Sequence, residues 1–315
     1  EKAGIYPDYI TGTSMGSIVG GLYAMGYSGD SIAHFTENIN WDELLSNEIP
    51  FIDVGIEEKS EFNRYLFDFD LVKGKPKFGE YLIKDQNLRE FLAKITVPGV
   101  HINHFDSLSI PYRAIATDIV NGKVVVIKEG PLYMAMRASM AIPTVFSPVE
   151  YDSTLLVDGG VLNNFPTDIA KSMGADFIIG SVVSDGMQPK EKLNDMTAIL
   201  FQTGMLINNL KNPANLSLCD ILIDHVPHLT YSTGDFSKSD QIYEQGKIAT
   251  YLAMDELVVL KDRLKGYPQR AHKLPQLNRT YTFDSIAYSG VSEGNLELVK
   301  SRTNIKPHSP YTVED

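Results

Sequence analysis

The sequence predicts an α/β domain built on a largely parallel sheet. Three observations carry this. Strand-like and helix-like segments alternate from the start to about residue 265. Phe177 to Val183 (FIIGSVV) is almost wholly apolar, as a strand covered on both faces is. Tyr9-Ile10-Thr11 reads as a short strand that passes through a glycine-flanked serine into a small-residue helix, about Met15 to Met25.

The remaining elements follow in order. Glu1-Lys2-Ala3-Gly4-Ile5 reads as the last turn of a helix with a glycine stop. The chain is therefore expected to begin inside a structural element, with sequence upstream. Residues 111–119 and 123–128 are rich in Ile and Val, and Asn121-Gly122 between them is a hairpin turn signal. Leu155-Leu156-Val157 is a buried strand. Asp168 to Met173 is a helix closed by Gly174, and residues 195–210 and 240–264 are helices. Composition shifts at Gly266-Tyr267-Pro268, which places a domain boundary at about 270–278. A strand over Tyr281 to Tyr288 and a helix over Gly294 to Ser301 follow it.

Composition narrows the function classes. The 315 residues are 43% hydrophobic and 22% charged, which excludes a disordered or collagenous chain. With 28 basic and 40 acidic side chains the formal charge is −12, which argues against a nucleic-acid partner. The same balance argues against simple adhesion to an anionic membrane. Cys219 is the only cysteine, so there is no internal disulfide and no cysteine-based zinc site. It reads as a buried small hydrophobe. No apolar run approaches the 18 or so residues of a spanning helix.

Gly12-Thr13-Ser14-Met15-Gly16 is a G-x-S-x-G placed between a strand and a helix, the setting that gives this motif chemical meaning. The serine occupies a strained turn, and glycines two residues to either side are expected to avoid a clash. The helix behind it offers free N–H groups to a developing oxyanion, the Met15 amide first among them. A serine nucleophile needs a base. None of the seven histidines (34, 101, 104, 225, 228, 272, 308) lies in an evident loop after a buried strand, and all read as solvated or capping residues. The spacings His101-x-x-His104 and His225-x-x-His228 lack a further ligand to complete a metal site. Asp158, at the end of Leu155-Leu156-Val157 and ahead of Gly159-Gly160, stands where α/β proteins place chemistry. A carboxylate there can take the serine proton if it is partly desolvated. The same residues also fit an ordinary aspartate-led turn.

Taken together, these motifs resemble those of the patatin-like phospholipases. Ser14 lies in G-x-S-x-G and Asp158 in D-G-G. Tyr9-Ile10-Thr11-Gly12 and Ser17 to Ala24 around the elbow also resemble bacterial members of that family. So do Ala116-Thr117-Asp118 with Asn121-Gly122, Arg137-Ala138-Ser139-Met140-Ala141-Ile142-Pro143, and Gly160 to Pro166. The resemblance covers about residues 1–265 and implies a three-layer α/β/α sandwich with a mainly parallel sheet. It implies a Ser–Asp dyad in which Ser14 is the nucleophile and Asp158 the base, with an acyl-enzyme intermediate. No histidine, metal or other cofactor is implied. Gly12, Met15 and Gly16 would form the elbow and oxyanion side, and Gly159 and Gly160 the loop beside the base. Arg137 and Pro143 would help build the substrate cleft; the same stretch equally fits a helix ending in a packing segment.

One departure stands out. The family carries a glycine-rich oxyanion loop ahead of the elbow, and nothing of that type occurs here. Either that segment lies upstream, which is the reading favoured, or the chain is inactive as it stands. The last 36 residues or so carry a second resemblance, to the start of a POTRA module, through Tyr281-x-Phe283-x-x-Ile286-x-Tyr288-Ser289-Gly290 and Ile305-Lys306-Pro307-x-Ser309-Pro310-Tyr311. Residues 1–270 would then be the hydrolase, and 279–315 would lead toward an outer-membrane barrel. The expected setting is the bacterial outer membrane, periplasm or cell surface, with the cytoplasm as the alternative. The expected activity is phospholipase A or lipid esterase, acting on lipid at a membrane surface. The alternative of another class is a non-catalytic lipid-binding or outer-membrane assembly module that keeps the patatin fold.

Overall fold

The computed structural model describes residues 1–45, 70–72, 75–77, 85–184, 186–193, 196–231, 235–268, 270–276, 280–288, 291–303 and 305–312. The chain divides into two compact units, Glu1–Leu274 and Pro275–Asp315. In the first, strand β1 (Ile10–Thr13) leads through Ser14 into helix α1 (Met15–Met25). Gly26 closes α1 at φ 121°, and the amides of Gly26 and Tyr27 return to Tyr23 and Leu22. Helix α2 (Gly29–Asn38) is capped by the Ser28 hydroxyl, which accepts the Ser31 N–H at 3.1 Å. Helix α3 (Trp41–Leu44), the small pair β2 (Asp70–Val72) and β3 (Lys75–Lys77), and helix α4 (Gln86–Ile95) follow. Then come β4 (Tyr112–Asp118), β5 (Lys123–Ile127), α5 (Leu132–Ser139), β6 (Val149–Tyr151) and β7 (Thr154–Asp158). Helix α6 (Thr167–Ser172), β8 (Ile179–Val182), α7 (Met196–Gly204), α8 (Leu206–Leu216), β9 (Ile221–Asp224), α9 (Ser239–Leu252) and α10 (Met254–Arg263) complete the unit.

The α/β class stands, but the sheet is mixed rather than mainly parallel. β1 runs parallel to β4, and β8 to β9, whereas β5 and β7 run antiparallel to β4 and β6 antiparallel to β7. Short turns cause this. Residues 119–122, ending in Asn121-Gly122, reverse the chain between β4 and β5, and Asp152-Ser153 (Asp152 at φ 51°) reverses it between β6 and β7. Asp118 fixes the first turn. Its carboxylate accepts from the amides of Val120 and Asn121, the Asn121 side chain and the Thr154 hydroxyl. These bonds, Thr154 foremost, hold it down at about 2.

The pairing register of β4 places the site. Residues 112–115 pair with β1, 116–118 with β7, and 114–118 with β5. A strand has two edges and β5 takes one, so β1 and β7 share the other. β1 ends at Thr13 opposite Ile115, and β7 ends at Asp158 opposite Ala116. Two strands that run toward each other therefore bring their carboxyl ends together.

Side chains alternate across the sheet. On one face Tyr112, Ala114, Ala116 and Leu156 pack with Leu22 and Met25 of α1, Leu88 and Leu92 of α4, and Met136 of α5. Full burial of each large apolar chain contributes about 1.5–3 kcal/mol. On the other face the hydroxyls of Thr11 and Thr13 donate to the carbonyls of Pro166 and Asn163. A smaller cluster joins Ile221 and Ile223 of β9 to Ala249, Leu257 and Leu260 of α9 and α10.

Several details differ from expectation. β8 is half covered: Ile179 is exposed while Gly180 and Val182 are buried, so its apolar run does not mean burial on both faces. The long helices are each two, broken at Met205 and at Ala253. Glu1–Gly4 is a hydrogen-bonded turn, with Gly4 at φ 71°. In the second unit the expected strand at 281–288 is limited to β10 (Tyr281–Thr282). It pairs antiparallel with β11 (Pro310–Tyr311), and helix α11 (Glu293–Thr303) lies between them in sequence.

Candidate active site

The motif GTSMG folds as an elbow because its backbone leaves no alternative. Ser14 stands at φ 55°, ψ −127°, a left-handed φ for a non-glycine residue that costs about 1–3 kcal/mol. A Cβ on Gly12 would collide with the Gly16 carbonyl, so glycine is obligatory there. Gly16 departs from expectation: a Cβ there meets nothing within 4 Å. Its lack of a side chain leaves open the space beside Ser14 instead of relieving a clash. Ser14 is followed at once by α1, whose first amides, Met15 and Gly16, have no intrahelical acceptor. No acidic side chain lies in that first turn to offset the positive end of the dipole.

The structure brings Ser14 and Asp158 together. Ser14 Oγ donates to Asp158 Oδ2 at 2.6 Å, and Gly160 N–H donates to Oδ1 at 2.7 Å. Gly159 can make this turn only without a side chain, because a Cβ would collide with the Ile115 carbonyl. Asp158 is 5% exposed. Burial pushes its carboxyl up to about 6, and the bonds from Ser14 and Gly160 offset only part of that. No cation is among the groups that act on it.

Both residues line a cavity of about 1160 Å³. Ile142, Pro143, Val161, Phe165, Leu200 and Met205 give it apolar walls. Pro143 lines this cavity, followed by Thr144 at a strained φ of 72°. Arg137 does not. It is fully buried away from the cavity, its Nε donating to Asp85 at 2.6 Å and its Nη2 to the Ser147 carbonyl at 2.9 Å. The guanidinium lies over the Phe146 ring, 5.2 Å from its centroid. The anion it meets is an internal carboxylate, as befits the alternative reading of this stretch as a helix ending in a packing segment. None of the seven histidines lines the cavity. Cys219 is half-buried, and burial raises its thiol. Among the described residues no group of three or more His, Cys, Asp or Glu side chains is placed to hold a metal.

Sequence reasoning missed the polar scaffold under the loop that follows Asp158. Asn163 donates to Asp168 at 2.9 Å, and Asn215 donates to Asn163 and to the Phe165 carbonyl at 2.9 and 2.7 Å. Lys211 pairs with Asp168 at 2.7 Å, and Asn208 accepts the Asn164 N–H at 2.7 Å. Asn163 and Asn164 stood within a motif already noted; their partners on α8 are more than 40 residues away and carry no local signal.

The family model described as patatin-like phospholipase matches residues 1–171. The chain belongs to that family, whose α/β/α sandwich it shares. It is 27% identical over 346 aligned positions to the human patatin-like phospholipase domain-containing protein 6, covering all of this chain and 22% of that protein. An uncharacterized NTE family protein of Mycobacterium bovis is 31% identical over 170 residues, 54% of this chain and 39% of its own. The lysophospholipase NTE1 of Meyerozyma guilliermondii is 27% identical over 287 residues, 82% of this chain and 18% of its own. The chain therefore spans well under half the length of these relatives. At the level of the family, lipid hydrolase activity is supported.

The raised carboxyl of Asp158 carries a stability consequence. A group whose folded pKa exceeds its unfolded value favours folding below the unfolded pKa and loses that contribution as pH rises through the folded one. Between an ordinary 3.8 and about 6 the loss is on the order of 3 kcal/mol. Asp158→Asn, which removes the buried charge, is expected to raise the melting temperature at pH 7 and to give little gain at pH 4. An equal gain at both pH values, read by calorimetry, would exclude the buried charge as its source.

Proposed function

We propose that this chain is a serine acyl hydrolase acting on lipid esters, with Ser14 as nucleophile and Asp158 as its sole base. The observation that carries the reading is the 2.6 Å bond between the two side chains at a cavity wall without histidine. Ser14 Oγ attacks the ester carbonyl carbon as its proton passes to Asp158. The oxyanion forms at the amino end of α1, where the Met15 amide is aimed by the elbow. As the carbon–oxygen bond breaks, Asp158 returns the proton to the departing alcohol, and Ser14 holds the acyl group. Water then attacks, gives its proton to Asp158 and releases the acid, and the proton returns to Ser14. No step needs a metal. The reading extends to phospholipase A or lysophospholipase chemistry, in keeping with relatives that include a patatin-like phospholipase domain-containing protein and a lysophospholipase.

The full chain is expected to react with a fluorophosphonate probe, and Ser14→Ala and Asp158→Asn are each expected to abolish labelling and ester hydrolysis. Asp158 must be ionised to act, so kcat/KM climbs with pH about a midpoint near 6 and then levels. Labelling that persists in Ser14→Ala, or an acidic limb unchanged by Asp158→Asn, would remove the dyad; a wild-type chain that binds lipid but neither labels nor hydrolyses ester would favour the non-catalytic lipid-binding module.

We also propose that the lipid is met at a membrane surface, at the α7–α8 corner. Met196 to Leu210 holds no charged residue in a chain that is 22% charged. Ile199, Leu200, Leu206, Ile207 and Leu210 are exposed there, and Leu200 and Met205 also line the cavity. An uncharged apolar corner fits the acyl region of a bilayer. Replacing Ile207 and Leu210 together by Glu is expected to weaken binding to phosphatidylcholine vesicles at least about tenfold, with hydrolysis of a soluble short-chain ester unchanged. Equal losses on both substrates would point to damage at the dyad instead.

The second unit is read as the start of a POTRA-like module, supported by its strand, helix and strand order in β10, α11 and β11. The corresponding location is the bacterial outer membrane. Cell fractionation with the full protein tests it: recovery in the outer-membrane fraction is expected, and a purely cytoplasmic pool would overturn it.

A further inference from the structure

The stretch Arg137 to Pro143 does more than end a helix, because two of its residues hold the backbone of the dyad. Ser139, the last residue of α5, is fully buried and does not line the cavity. Its Oγ accepts the Ser14 N–H at 3.0 Å and donates to the Ile115 carbonyl at 2.5 Å. One oxygen thus joins the elbow to β4 at the point where β1 stops. Two residues on, the Ala141 carbonyl accepts the Asp158 N–H at 2.9 Å. Two residues back, Arg137 is tied to Asp85 and to the Ser147 carbonyl.

We propose that Ser139 is a positioning residue that sets the distance between Ser14 and Asp158. The proposal rests on the reading of Ser14 as nucleophile and goes beyond it. Ser139 touches no substrate and acts through the Ser14 amide. Where β1 meets β7 on β4, the ladder is interrupted, and an amide and a carbonyl need partners. A buried polar group left unpaired costs about 1–3 kcal/mol. A hydroxyl is the smallest side chain that accepts from one group and donates to the other. It holds Ser14 in a backbone conformation that serine alone disfavours. The Ala141 bond fixes the other member of the pair from the same segment, so movement of α5 relative to β4 would change the 2.6 Å contact.

The test compares wild type, Ser139→Ala and Ser139→Thr in the full chain, using a soluble short-chain ester, fluorophosphonate labelling, and hydrogen exchange of the Ser14 amide. Ser139→Ala is expected to lower kcat and the labelling rate on the order of 10²-fold, with KM little changed. Ser139→Thr, which keeps the hydroxyl, is expected to recover most of the loss. The Ser14 amide should exchange faster in Ser139→Ala and stay protected in Ser139→Thr. Wild-type kcat in Ser139→Ala overturns the proposal, and so does an equal loss in both variants with the Ser14 amide equally protected throughout. If wild type itself shows no Ser14-dependent labelling, the hydrolase reading fails separately. Amide exchange then decides: faster exchange in Ser139→Ala supports the positioning role, and unchanged exchange overturns it. Should Ser139→Ala fail to fold, Ser139→Thr decides, with near-wild-type kcat in support and a 10²-fold loss against.

Discussion

The meeting of β1 and β7 end to end on one edge of β4 is the constraint on which the rest of this structure depends. Strands that pair side by side distribute their bonds evenly; two strands that collide leave a gap in the ladder. Here the gap lies between Ile115 and Ala116, and it is filled by the elbow and the Gly159 turn. Both closures need glycine, since Gly12 and Gly159 each press backbone against backbone. The strain at Ser14 is local, but the bonds that offset it come from β4 and α5. A site built this way is held by main chain rather than by long side chains, so little rotamer entropy is lost in aligning it.

The two aspartates beside this junction show how burial and hydrogen bonding divide labour between like residues. Asp118 on β4 and Asp158 on β7 are both almost wholly buried. Asp118 accepts from four donors and sits at about 2; Asp158 accepts from two and sits at about 6. The first is a permanent anion that organises a turn. The second is balanced near neutrality, the condition under which a carboxylate can take a proton and return it. Burial dominates at Asp158, where two donors offset only part of it, whereas at Asp118 the four donors, Thr154 foremost, outweigh burial.

The parts of this arrangement legible in the sequence were those with a local backbone cause. The strand, glycine, serine and helix order around Ser14 dictates an elbow whatever surrounds it. Asp158-Gly159-Gly160 dictates a turn at a strand end. The parts that were not legible depend on distant partners. The family resemblance puts Arg137 with Pro143 at the cleft, yet the sequence does not reveal that Asp85 is the anion it meets. Ser139 stood unremarked in the same motif, because a buried hydroxyl announces nothing until its two partners, Ser14 and Ile115, are in place. The reversal into β5 is legible in Asn121-Gly122, but the direction of β7 is not, for a related reason. Alternation of strands and helices suggests crossovers, whereas the short turn at 152–153 brings the chain straight back from β6.

In the proposed reaction a nucleophile whose only base is a carboxylate would work against a wide gap in proton affinity, because a serine hydroxyl is far less acidic than Asp158 at about 6. Asp158 alone does not generate a free alkoxide; proton transfer has to accompany attack. That places the catalytic load on geometry and on the developing oxyanion. On that proposal the proton would follow the 2.6 Å bond, and the oxyanion would meet the amino end of α1, whose first turn carries no acidic side chain. Every group that sets these two features is a backbone amide, a backbone carbonyl or a short buried side chain. In that reaction the tight core between β4, α1, α4 and α5 would be part of the chemistry: a looser core would let the strand ends drift apart, and no histidine stands at the cavity wall to compensate.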